Sequence, residues 1–229
     1  MLKAIWEWIV GLFRHVETTL PEDRQEAEPR KDIQVVEPVA GKDDAGRWYM
    51  TAEMRDLLAL IRKYEAPAGY NQRFAEAKPK RVLATMTFDE VRAYGRSRVT
   101  VDKKASSAIG GYQFITKTLD SLRASLHLRG AELFTTTLQD DLAVALMIRR
   151  GLMEYLRGKI STTDFCNNLA KEWASLPVVS SITGAHRKLK SGQSYYAGDG
   201  LNAAHHKPAA VVAAVNTMRS ATAPRMPNK

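Results

Sequence analysis

Cysteine is nearly absent: Cys166 stands alone among 229 residues, so no disulfide can form within the chain. A fold without that cross-link rests on its apolar core, which a chain of this length can supply. The same count excludes zinc cages built on paired thiolates. Long apolar runs are missing as well. The most hydrophobic stretch, Ala4-Ile5-Trp6-Glu7-Trp8-Ile9-Val10-Gly11-Leu12-Phe13, falls well short of the roughly 20 residues that span a bilayer. No Ala-x-Ala-like cleavage site follows it, so it fits a conventional signal peptide poorly. There is no internal repeat and no strong β alternation, although Thr85–Thr100 leaves room for a strand or two.

What is present is ordinary in amount and uneven in placement. Hydrophobic residues make up 45% and charged residues 26%, the usual balance of a soluble globular protein. The net charge is +9, yet residues 17–45 hold nine acids against four bases. Residues 1–16 carry +1, which leaves +13 for the remainder. So basic a region is drawn to polyanions: nucleic acid, anionic lipid, or a bacterial envelope rich in carboxylate and phosphate.

These shifts divide the chain. Residues 1–16 suit an apolar or amphipathic helix, with Trp6, Trp8 and Phe13 between Lys3 and Arg14. Such a helix lies in a membrane interface, docks on a partner's groove, or packs on its own domain. Residues 17–47 are an acidic linker with too little apolar surface to offset the entropy of ordering. Residues 48–218 read as one mostly helical domain, and 219–229, with Pro224 and Pro227, as a frayed tail.

Within the domain the 3–4 spacing of Met54, Leu57, Leu58 and Ile61 predicts a first helix ended by Pro67. Thr87-Phe88-Asp89-Glu90 is a capping box, with Met86 and Val91 placed to form a hydrophobic staple. It predicts a short helix ending near Gly95. Further helices are expected over Thr116–Leu128, Leu138–Leu156, Asp164–Trp173 before Pro177, and Pro208–Met218, the last with proline in its first turn.

Glu65 falls on the apolar face of the first helix, one step beyond Ile61. Desolvation there, and the negative end of the helix dipole, both favour the protonated carboxyl. Ala66-Pro67-Ala68-Gly69 then breaks the helix, leaving the group at the lip of a cleft. A carboxyl protonated at neutral pH is what protonation of a glycosidic oxygen requires. The plainer reading is an exposed Glu, or one paired with Arg62 or Lys63. A second element, Gly110-Gly111-Tyr112-Gln113-Phe114, joins a tight backbone turn to a ring and an amide suited to sugar hydroxyls and acetamido groups.

These features, taken in order with Asn168-Leu169-Ala170-Lys171-Glu172-Trp173-Ala174-Ser175-Leu176-Pro177 and Gly192-Gln193-Ser194-Tyr195-Tyr196-Ala197-Gly198-Asp199-Gly200, resemble the lysozyme-like phage endolysins. The nearest group is that of the lambda-phage endolysin, a lytic transglycosylase. The likeness covers about residues 50–205. It implies a mainly α, α+β lysozyme-like fold, with a small irregular or β-containing lobe beside the cleft. It also implies an enzyme that cuts the β-1,4 bond between N-acetylmuramic acid and N-acetylglucosamine. In that family's pattern Glu65 is the catalytic acid, and Tyr112 and Gln113 line the cleft. Gly111, Tyr70 and Tyr196 are the other residues expected to bind the glycan strand. Ala66-Pro67 departs from the small polar or glycine residue usual after the catalytic glutamate. A monomer is expected, working in the periplasm or cell wall after synthesis in the host cytoplasm or carriage in a virion. Residues 1–16 would tether it to a membrane surface or a virion protein.

The reaction turns on whether a second carboxylate stands near Glu65. Asp89 lies in the capping box, where binding backbone N–H groups is its simpler role. Asp102 sits in the basic stretch Arg96–Lys104, read here as a loop. With neither an obvious partner, a single-glutamate mechanism that gives a 1,6-anhydro product is favoured over hydrolysis. Trp173 and Cys166 read as core, and His205-His206 as two side chains diverging on a helix, so neither a metal nor a cofactor is expected. The competing reading is a non-catalytic phage-particle or nucleic-acid-binding protein. Its basic residues are scattered, and no RNA-binding aromatic signature or zinc-finger pattern supports specific nucleic-acid recognition.

Overall fold

In the computed structural model, residues 50–102 and 105–222 are described. The expectations for residues 1–16 and 17–47, and for the tail beyond 222, lie outside them. Thr51 starts the first helix, α1 (Ala52–Glu65), by accepting a hydrogen bond from the Met54 N–H at 3.2 Å. Met54, Leu57, Leu58 and Ile61 are its buried stripe. Pro67 stands two residues past the end, as expected.

The capping box closes as the sequence requires. The Thr87 hydroxyl accepts from the Glu90 N–H at 3.3 Å, and the Glu90 carboxylate accepts from the Thr87 N–H at 2.7 Å. It opens α2 (Phe88–Val101), which runs six residues past Gly95 rather than stopping there. Gly95 is not a terminator: a Cβ there would stand 2.7 Å from the Ser107 carbonyl oxygen, so glycine lets the following loop lie against the helix. Arg96–Val101, read as loop, is therefore helical; of the stretch where a strand was admitted, residues 88–100 are helix and only Thr87 makes a β contact, an isolated bridge to Leu133. Thr87→Ala removes one cap bond and is expected to cost about 1 kcal/mol, seen as a lowered urea midpoint at unchanged slope.

Next come α3 (Thr116–Leu126), which ends on His127 in the left-handed conformation, and α4 (Thr136–Arg149). In α4, Leu142, Ala143, Val144, Leu146 and Met147 are all buried. Their angular spread covers more than half the helix circumference, so α4 is the central pillar of the core. The single helix expected over 138–156 is two. Gly151, at φ 98°, separates α4 from α5 (Leu152–Leu156) and turns the chain where any other residue would be strained.

A second capping box, Ser161 with Asp164, starts α6 (Thr162–Leu169). This helix ends four residues before Trp173. The chain then turns, so that Trp173 folds into the core while Glu172 pairs with Arg149 at 2.7 Å and Arg150 at 2.8 Å. The only sheet among the described residues is the hairpin β1 (Ile182–Thr183) with β2 (Lys188–Leu189), whose register pairs Ile182 with Leu189. Strands of two residues leave no alternation to read. The last helix, α7 (Pro208–Thr222), seats Val211, Val215 and Met218 in the core and packs on α1 and α6. It extends four residues past the expected Met218. The architecture is mainly α, with the irregular segment 66–86 joined to the loop 105–115 by the isolated bridge Arg73–Ile109, and the loop closed on itself by Ile109–Phe114. That is the lysozyme-like class expected. Cys166 is buried, and burial pushes its thiol up to about 12, which makes it inert packing. No helix among the described residues is long and apolar enough to cross a membrane.

Candidate functional site

Glu65 closes α1, and its carboxylate turns toward the loop that follows α6. There Oε1 accepts a hydrogen bond from the Ser175 N–H at 3.0 Å. Burial raises the carboxyl above its ordinary value. The Ser175 N–H and the charge of His205 oppose that rise without cancelling it. The group is thus poised to hold a proton in a setting with few competing donors, which suits a general acid. Arg62, weighed as its ion partner, points elsewhere.

Ser175 is held from its other side too. Its carbonyl accepts from the His205 N–H at 2.8 Å and the His206 N–H at 3.3 Å. One residue therefore ties the end of α1 to the segment that enters α7. Both histidine rings meet Tyr64, the neighbour of Glu65. His205 stacks on it with centroids 5.7 Å apart, and His206 stands edge-on at 4.5 Å. They precede α7 rather than lying on it, so they converge on one ring instead of diverging. Among the described residues no three metal-ligating side chains come together.

One turn back along α1, Arg62 organises the loops beside the site. Its Nη1 donates to the Tyr112 hydroxyl at 2.6 Å and lies 3.5 Å from Asp140 Oδ1. The Tyr112 and Tyr70 hydroxyls both donate to that same oxygen, Tyr70 at 2.7 Å. The Arg62 guanidinium also lies 4.6 Å above the Tyr70 ring. Burial, then the Asp140 carboxylate, pushes the Tyr70 hydroxyl up to about 12 and raises Tyr112 further. Arg62 and Asp140 fasten the loop after α1 to the Gly110–Phe114 turn and to α4.

The residues expected to touch glycan divide accordingly. Tyr112 is only 2% exposed, with its ring against Tyr70 and Phe114, so it is a wall of the core rather than an open face of a cleft. Gly111 donates its N–H to Gln139 Oε1 at 2.8 Å. A Cβ on it would meet Arg62 and Tyr70 atoms at 2.9 Å, so its smallness serves packing. Gln113 adopts φ 48° and donates its amide to the Gly110 carbonyl at 2.9 Å, closing its own turn. Tyr70 and Tyr196 are half-buried, and Tyr196 donates to the Lys171 carbonyl at 2.6 Å. Asp89 is paired with Arg123 at 2.7 Å, and Asp102 is the exposed cap at the end of α2.

Sequence reasoning assigned no role to Ser175, Tyr64, Asp140 or the histidine pair. Ser175 lay inside a quoted motif. Nothing in spacing points from Asp140, in the second turn of α4, to Arg62 on another helix.

The family model described as Endolysin matches residues 55–203, well over half of the chain. No curated protein and no solved structure matches the chain.

Proposed function

Since this chain belongs to the endolysin family of peptidoglycan-degrading phage enzymes, we propose that it cleaves the β-1,4 bond between N-acetylmuramic acid and N-acetylglucosamine as a lytic transglycosylase, with Glu65 as the acid and then the base. The observation that carries this reading is the half-buried carboxyl of Glu65 at the end of α1, raised by burial and held through a single N–H. In the first half-reaction the Glu65 carboxyl gives its proton to the glycosidic oxygen as the muramic C1–O bond breaks. In the second, the carboxylate takes the proton of the same muramic residue's C6 hydroxyl, and that oxygen bonds to C1. No water is consumed, and the acid is regenerated.

A hydrolase would need a second carboxylate about 5 to 9 Å away, as nucleophile or base. Three of the acids described above have other work. Asp140 accepts from two tyrosines beside Arg62, Asp89 pairs with Arg123, and Glu172 pairs with Arg149 and Arg150. That commitment favours the single-glutamate route.

Incubating the protein with purified sacculi and weighing the soluble muropeptides tests the reading. Products ending in 1,6-anhydromuramic acid are expected. Reducing-end muramic acid, one water heavier, would make the protein a muramidase and bring Asp102 forward as the second carboxylate. A folded sample that releases nothing would overturn the enzymatic reading in favour of a structural one.

A further inference from the structure

The Glu65 carboxyl has a neighbour along the chain, Tyr64, and a neighbour in space, Ser175, and His206 touches both. Ser175 gives the carboxylate its N–H at 3.0 Å. The carbonyl of the same residue accepts from the His206 N–H at 3.3 Å, beside the His205 N–H at 2.8 Å. The His206 ring stands edge-on to the Tyr64 ring, with centroids 4.5 Å apart. His206 is only 8% exposed and Ser175 only 4%, so the junction is packed. The family match ends at residue 203 and does not include it. We propose that His206 is a positioning residue for Glu65: wedged against Tyr64 and bonded to the Ser175 carbonyl, it holds the Ser175 N–H on the acid. The proposal rests on Glu65 being that acid.

The wedge works by contact. A grip on the Ser175 carbonyl restricts the rotation of that residue, and so the direction in which its N–H points. The ring against Tyr64 fixes the last turn of α1 from the other side. Charge has no part in this: burial first, then the Lys63 charge, lowers the His206 imidazole to about 4, so the ring is neutral at neutral pH. Its Nε2 is buried with no hydrogen-bond partner among the described residues. A buried polar atom without a partner works against folding, so a phenyl ring would fill the same space without that cost. An empty space there would instead let the Ser175 peptide and the end of α1 shift, because interiors are close-packed. Displacing a catalytic group by about 1 Å can cost on the order of a hundredfold in rate, so a small loosening is enough to be seen.

The test compares the full chain with His206→Ala and His206→Phe, reading hydrogen exchange at the Ser175 amide and turnover of solubilised glycan strands. His206→Ala removes the wedge. Its Ser175 amide is expected to exchange about tenfold faster, and kcat to fall about tenfold with KM within about twofold. His206→Phe keeps a ring in place, so it is expected to restore both and to melt no lower than the unchanged protein. The amide of Leu142, buried in α4, is the reference for opening of the whole domain. Faster exchange at Ser175 and Leu142 alike, or at neither, would overturn the proposal. So would an unchanged kcat in His206→Ala, or a His206→Phe protein as slow as His206→Ala. Exchange is read without turnover, so it decides the hold on Ser175 separately from Glu65→Gln, whose activity tests the acid assignment itself.

Discussion

Glu65→Gln is expected to leave the fold standing and to lower turnover on sacculi by about a thousandfold or more. General acid–base catalysis by one positioned group contributes roughly 10²–10⁴, and here the same carboxyl serves both half-reactions. The substitution keeps the shape of the side chain and its oxygen, so the Ser175 N–H retains its acceptor. What it removes is the transferable proton. Stability moves in the opposite direction to activity. Because folding raises the Glu65 carboxyl above its ordinary value, the folded state favours the proton-bound form. The ionised group opposes folding once the pH rises through the folded midpoint. Glutamine carries no charge, so at and above neutral pH the variant is expected to melt no lower than the unchanged protein. A thermal melt at pH 5 and at pH 8, beside muropeptide release, reads both effects. An inactive variant that melted far lower at both would show that the residue is structural instead.

Gly110→Ala is expected to be the most damaging small change in the loops beside the site, at about 3 kcal/mol. Gly110 has φ 81°, where an L side chain costs roughly 1–2 kcal/mol. A Cβ there would also stand 2.6 Å from Gln139 Oε1 and 3.1 Å from Phe134. Gln139 is fully buried: its Oε1 accepts from the Gly111 N–H at 2.8 Å, and its amide donates to the Phe134 carbonyl at 3.2 Å. Pushing it aside strands buried polar groups at roughly 1–3 kcal/mol. For a domain of this size that corresponds to a fall in Tm of about 6–12 °C. Gly69→Ala is the control. It shares a positive φ of 86° but has nothing within 4 Å, so backbone strain alone remains and the fall should be about half as large. Equal falls in the two variants would mean that the Gln139 contact adds nothing.

Local signals were legible in the sequence where they are self-contained. The stripe through Met54, Leu57, Leu58 and Ile61, the stop at Pro67 and the box from Thr87 to Glu90 each specify an element through neighbours three or four residues away. They also place Glu65 at a helix end on the inner face before any fold is known. Distant partners decided the rest. Gly95 reads as a helix end until Ser107 is seen to lie against it, and the pattern over 138–156 reads as one helix because the turn at Gly151 falls between two apolar stretches. Tyr112 and Gln113 were read as a pair lining the cleft, and their contacts were not legible. Tyr112 is buried where Arg62, 50 positions before it, and Asp140, 28 positions after it, meet at its hydroxyl. The anchoring of Glu65 by Ser175, 110 residues away, has no local trace at all.

Catalysis turns most directly on the protonation state of one carboxyl. Turnover on sacculi measured against pH, beside the titration of the Glu65 carboxyl in the same buffers, tests it. A general acid works below its midpoint and fails above it, so activity on the basic side should fall through the pH at which the Glu65 signal titrates. Activity that persisted undiminished a full unit above that midpoint, with the carboxyl ionised, would contradict Glu65 as the proton donor.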